Sequence, residues 1–145
     1  MANVKRENSN PTAGVEDLLA ALKEEISFNE SYDEENEEWV LDVSIDGQRR
    51  QDITLSPFTE AGRDYIRLIT VVGKTSDFSL QKLRSALELN SSLLYGALAI
   101  YQGATVLTET IAVKRTDKSE AIDIVRYLTR MADSYEKMLF GLDRA

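Results

Sequence analysis

The chain contains no histidine and no cysteine. Those two absences exclude disulfides, Cys or His zinc sites, a Ser-His-Asp triad, a thiol nucleophile and an imidazole base. Proline occurs only twice and glycine seven times, which excludes a collagen-like or broadly disordered chain. No apolar run approaches the roughly 18 to 20 residues that a membrane-spanning helix requires. Residues 1–8 carry charges with no apolar stretch behind them, so they do not read as a secretory signal. The expected location is the cytoplasm, where the glycosylation-like triplets at Asn29 and Asn90 carry no meaning.

What remains is an ordinary globular composition, with 43% of the 145 residues apolar. A chain of this length buries roughly two thirds of its unfolded surface, enough for one self-sufficient core. We expect a mobile tail over residues 1–11 and a single domain over residues 12–145. Net charge is -8, and it is unevenly spread. Between residues 16 and 46 there are twelve acidic residues against one basic, Lys23. From residue 47 onward, fourteen basic residues slightly outnumber twelve acidic ones. A nucleic-acid binder that works by counterion release needs a basic surface, and anionic membranes ask for the same, so neither partner is expected.

Periodicity places the elements. Val15, Leu18, Leu19, Leu22 and Ile26 recur at three and four residues, predicting an amphipathic helix capped by Thr12. Residues 29–38 are so rich in charge that they read as a solvated loop. From Trp39 the period becomes two, with Leu41, Val43 and Ile45 on one face, and Asp46-Gly47 signals a hairpin. The return strand is expected over residues 48–56, ended by Pro57, with a loop over residues 59–62. Residues 65–72 form the most apolar strand and so belong in the middle of a sheet, closed by Gly73. Ser76 or Asp77 is expected to cap a second helix that buries Leu80, Leu83 and Leu87 and closes at Leu89-Asn90, with Asn90 left-handed. Strands over residues 94–101 and 104–113 flank the turn residues Gln102-Gly103. A last helix, residues 119–142, carries the stripe Ile122, Val125, Leu128, Ala132, Tyr135, Leu139 and Leu142. The order is helix, three strands, helix, two strands, helix, which predicts an α+β fold with an antiparallel sheet and helices packed on a face. Leu18, Leu22, Leu41, Val43, Leu68, Leu83, Leu87, Val125 and Leu128 are the expected core.

The motifs that could carry chemistry fail on inspection. Gly73-Lys74-Thr75 follows a strand and precedes a helix, as the end of a phosphate-binding loop would. The glycine that loop needs five positions earlier is Leu68, so no ring of backbone amides can form. Asp33, Glu35 and Glu37 alternate like a calcium loop, but the sixth and twelfth positions are Glu38 and Ser44 rather than Gly and Glu. Paired carboxylates of the glycosidase kind are compatible with nearly any chain holding twenty-five acidic residues, and therefore indicate nothing. Arg49, Arg50, Arg63 and Arg67 form the densest basic group and are expected to pair with the acidic first third. No catalytic residue, cofactor site or metal site is expected.

The segment from Leu87 to Ile100 reads Leu-Glu-Leu-Asn-Ser-Ser-Leu-Leu-Tyr-Gly-Ala-Leu-Ala-Ile, a helix ending in Leu-Asn and running into small and apolar residues. With the element order, it resembles the type III secretion chaperone-like fold, a superfamily that includes class I secretion chaperones and YbjN-like proteins. The resemblance implies a non-enzymatic homodimer that holds extended segments of a protein or peptide client on apolar patches. It also implies a dimer contact at the second helix and the hairpin that follows.

 The interface expected from the resemblance comprises Leu94, Tyr95, Gly96, Ala97, Leu98, Ala99, Ile100 and Tyr101. A small-ligand-binding regulatory domain, with its pocket between sheet and helices, is the alternative. One consequence of the two missing residue types is directly measurable. Purified protein is expected to carry no stoichiometric zinc by elemental analysis and to give no calorimetric signal with Mg²⁺-ATP, and a tight isotherm would contradict the reading of Gly73-Lys74-Thr75.

Overall fold

The structure, a computed structural model, describes residues 11–140, with side chains over residues 14–138. The tail expected over residues 1–11 therefore lies outside the described residues except for Pro11, which opens the first helix, α1 (Pro11–Lys23). Thr12 falls inside the first turn instead of before it. A proline at a helix start loses nothing, because the N–H it lacks has no intrahelical partner there. The helix ends at Lys23, and Ile26 still folds back, its N–H donating to the Leu22 carbonyl at 2.8 Å.

Four strands follow, one more than the sequence pattern predicts: β1 (Phe28–Asp33), β2 (Glu38–Asp46), β3 (Arg49–Glu60) and β4 (Arg63–Lys74). The extra strand, β1, occupies the first half of the expected acidic loop. Its register places Phe28 opposite Val43 and Tyr32 opposite Trp39, and the Tyr32 and Trp39 rings lie 4.5 Å apart. Two aromatic anchors thus hold a strand whose other residues are polar, which is why its charge hides it. Pro57 does not end β3. Pairing with β2 stops at Trp39 and Leu55, so Pro57 has a neighbour only in β4, where a missing N–H is tolerated. Ala61 and Gly62, both at positive φ, make a two-residue turn in place of the expected loop. Gly73 likewise continues β4 through an irregularity between Val71 and Gly73 instead of closing it.

After a 3₁₀ turn (Thr75–Asp77) comes α2 (Leu80–Leu89), then β5 (Ala97–Tyr101), β6 (Ala104–Ala112) and α3 (Lys118–Phe140). The cap of α2 is Ser79, whose hydroxyl accepts from the Lys82 N–H at 3.1 Å; Ser76 and Asp77 belong to the turn before it. Asn90 is right-handed, not left-handed, and starts a second 3₁₀ turn. The β5–β6 hairpin does turn on Gln102-Gly103, both at positive φ. Leu142 of the predicted stripe lies outside the described residues, as does the side chain of Leu139.

All strand pairs are antiparallel and the order is β1-β2-β3-β4-β6-β5. The chain leaves β4, crosses by α2 to the far edge, and returns through β6 between β5 and β4. This is an α+β fold. Helices α1 and α3 lie against β3 and β4, and α2 contacts β5. One core joins Leu18 and Leu22 of α1, Leu41 and Val43 of β2, Leu68 of β4, and Val125 and Leu128 of α3, all buried as predicted. Leu83 is only half-buried, and Leu87 is 65% exposed, so the second helix does not bury the stripe assigned to it. Leu68 has no exposed surface and its strand is flanked on both sides by β3 and β6. Leu68→Ala is expected to cost about 2–5 kcal/mol of stability. An unchanged urea midpoint would contradict the central placement of β4.

Candidate functional site

The α2–β5 corner is built by three local constraints. Asn90, at the end of α2, accepts the Leu98 N–H on its side-chain oxygen at 2.6 Å and donates its amide to the Leu98 carbonyl at 3.3 Å. That side chain behaves as a short piece of strand partner, tying β5 to the helix end. Next, the Leu94 N–H donates to the Tyr127 hydroxyl at 2.9 Å, and the Tyr95 ring meets the Tyr127 ring edge-on at 5.6 Å. Finally, Gly96 has φ +79°, and a Cβ there would stand 2.8 Å from Leu128 Cδ2 and 3.0 Å from the Thr108 carbonyl oxygen. Only glycine fits both the conformation and the space. Its N–H donates to Glu109 Oε1 at 3.1 Å.

The eight residues expected at an interface therefore divide. Tyr95 and Gly96 are used within the chain, seating it on α3 and β6. The expected strand begins at Ala97, not Leu94, because residues 94–96 are held in this turn. Leu98 is buried in the core. Alternation along β5 puts Ala97, Ala99 and Tyr101 on the sheet face that carries no helix, and Ile100 on the side of α2. Leu94 is 71% exposed and Ile100 60%.

Large apolar side chains accumulate at this edge. Of the eight exposed ones among the described residues, Leu80, Leu87, Leu94, Ile100 and Tyr101 belong to α2, β5 or the link between them. Leu83, Leu87, Leu98 and Ile100 line a nearly wholly apolar hollow of about 200 Å³ between α2 and β5. A second hollow, about 420 Å³, lies on the open sheet face, where the small side chains of Ala97 and Ala99 leave room beside Ile69 and Tyr101. β5 is also an edge strand, with one neighbour, β6. Exposed apolar surface concentrated beside an open edge makes this corner the candidate site. The exposure of Leu87 is the feature that sequence reasoning missed.

The comparisons with known proteins bear on the fold. No protein-family model matches the sequence. No curated protein matches it either. A solved structure does. A chain of the HopA1–SchA chaperone–effector complex superimposes with a TM-score of 0.55, over 94% of this chain and 97% of that one, at 14% sequence identity. The fold is type III secretion chaperone-like. At this identity the likeness is one of architecture alone.

Elsewhere the arginines partly depart from expectation. Arg50 pairs with Asp42 at 2.7 Å, inside the acidic third as predicted, but Arg49 reaches Asp133 of α3. Arg67 lies 4.5 Å above the Phe58 ring, and Arg63 has no ion-pair partner among the described residues. In the β1–β2 turn, Asp33 accepts the Asn36 side-chain amide at 2.8 Å and the Glu35 and Asn36 N–H groups. The Asn36 amide, and then its backbone N–H, hold the Asp33 carboxyl below the usual carboxylate range. Among the described residues no cluster of three or more Asp and Glu side chains is arranged to hold a metal ion.

The Asn90 clamp generates a prediction. Asn90→Ala leaves the Leu98 N–H without its side-chain partner and is expected to cost about 1–3 kcal/mol. Amide exchange at Leu98 should accelerate together with a lower denaturation midpoint, and unchanged exchange there would show that β5 does not depend on the clamp.

Proposed function

We propose that this chain is a non-enzymatic, cytoplasmic, chaperone-like protein that binds other polypeptides and works as a homodimer. The observation that carries the reading is the exposed apolar surface of α2 and β5, centred on Leu87 and Ile100. In an isolated chain those side chains lower stability and solubility, so a partner that covers them is favoured by their burial. A two-fold contact suits the place: a self-complementary patch at one edge covers itself with a second copy of itself. The fold likeness supports the same reading, since the similar structure is a chaperone–effector complex. A polypeptide client is its implied ligand class.

The alternative of a ligand pocket between sheet and helices has less support. The space between the sheet and α1 and α3 is filled by the core. Two cavities, of about 620 and 420 Å³, share Ile69 of the open sheet face in their linings, and the larger also reaches Glu136 of α3.

Sedimentation tests the assembly. Wild-type protein is expected to run as a dimer at micromolar concentration, and Leu87→Asp or Ile100→Asp as folded monomers, because both side chains are exposed in the single chain. A monomeric wild type would overturn the homodimer. The client arm uses a permanently unfolded model polypeptide. The protein is expected to slow its aggregation stoichiometrically without ATP, and no effect would overturn the chaperone-like part of the reading.

A further inference from the structure

At the end of β4 and β6 away from the β5–β6 turn, the β3–β4 turn meets the chain leaving β6. The Val113 N–H donates to the Asp64 carbonyl at 3.0 Å, and the Thr116 N–H to the Ala112 carbonyl at 2.9 Å, which turns the chain toward α3. Arg63, Lys114 and Arg115 are thereby brought around one hollow of about 210 Å³, with Gly62 and Asp64 in its lining. All three residues are exposed, and none of their side chains has an ion-pair or hydrogen-bond partner among the described residues. Glu60 stands opposite Arg63 in the strand register and still makes no ion pair with it. In a chain of net charge -8, three unpaired cations at one hollow are the reverse of the general balance.

We propose that this hollow receives an acidic stretch of a bound polypeptide, a proposal that rests on the polypeptide-binding reading above. Two guanidinium groups and an ammonium match carboxylates, the guanidinium in bidentate fashion. Asp64, buried and accepting the Thr59 hydroxyl at 2.9 Å, places a carboxylate in the wall. That carboxylate disfavours a compact anion settling inside, so the negative groups meet the cations from the rim, spaced along an extended chain. Nucleic acid fits poorly, because three cations make no track for a phosphate backbone and the rest of the chain is acidic.

The test is fluorescence anisotropy with a labelled deca-glutamate peptide. Wild-type protein is expected to bind it at low salt and to lose affinity by about tenfold or more when salt approaches the physiological range. Arg63→Glu with Arg115→Glu, both at exposed positions, is expected to abolish binding with circular dichroism unchanged. Leu87→Asp should leave the binding intact, which separates this hollow from the α2–β5 surface. Absence of binding by the wild type, or equal binding by the charge-reversed variant, overturns the proposal. So does displacement by inorganic phosphate at concentrations matching the peptide, which would make the hollow a phosphate site. If deca-glutamate binds as expected while the unfolded model polypeptide does not, the function reading fails and the anion-binding hollow stands.

Discussion

The structure depends on one-sided burial of its sheet. Apolar residues alternate along β2, β3 and β4 so that Leu41, Ile53, Leu55, Ile66 and Leu68 all face α1 and α3. The two helices supply Leu22, Val125 and Leu128 to the same layer. Two helices are enough to cover the middle strands and not enough to cover the edge at β5. That shortfall is where α2 stands, and it is why a helix of ten residues keeps Leu80 and Leu87 in solvent. Among the described residues the other sheet face receives no helix, and its residues Ile69, Ala97, Ala99 and Tyr101 leave a shallow hollow.

A polar seam makes the arrangement specific. Gln51, buried, donates to the Thr70 hydroxyl at 2.8 Å and to the Val71 carbonyl at 2.9 Å, and Thr70 donates onward to the Asp52 carbonyl at 2.6 Å. Among the described residues no buried side-chain nitrogen or oxygen lacks a partner. Arg49 and Asp133 close the same side of the molecule by joining β3 to α3. Unlike apolar contacts, these bonds are directional, so a slip in register would leave donors buried and unpaired. The Asn90 clamp and the Gly96 close approach do the same for β5.

Much of the fold was legible in the sequence because the signals were local. Period two from Trp39, period three to four in the first and last helices, and the Gln102-Gly103 turn depend on neighbours a few residues apart, and all appear in the structure. The failures were of a different kind. β1 was hidden by its charges, since only pairing with β2 reveals that Phe28 and Tyr32 share a face with Val43 and Trp39. Pro57 ended a strand by the rule for central positions, and the rule did not apply because β2 stops short of it. The helix stripe of α2 was read as buried because amphipathicity states that a face needs covering, without stating whether the cover comes from the same chain.

From the amino-acid order alone came the class of fold, the bulk of the core, the acidic first third, and the absence of imidazole and thiol chemistry. Each is a property of residue type and short spacing, which exist before the chain folds. Tertiary structure alone decided which apolar residues stay outside, which arginines find carboxylates, and that Gly96 serves its own chain by admitting Leu128. Those depend on distances between residues far apart in sequence, such as Arg49 and Asp133 or Arg63 and Arg115, and no local pattern encodes them. The physical reason is that burial is a competition for a limited covering layer, and its outcome at α2 and β5 is set only when every other element has taken its place.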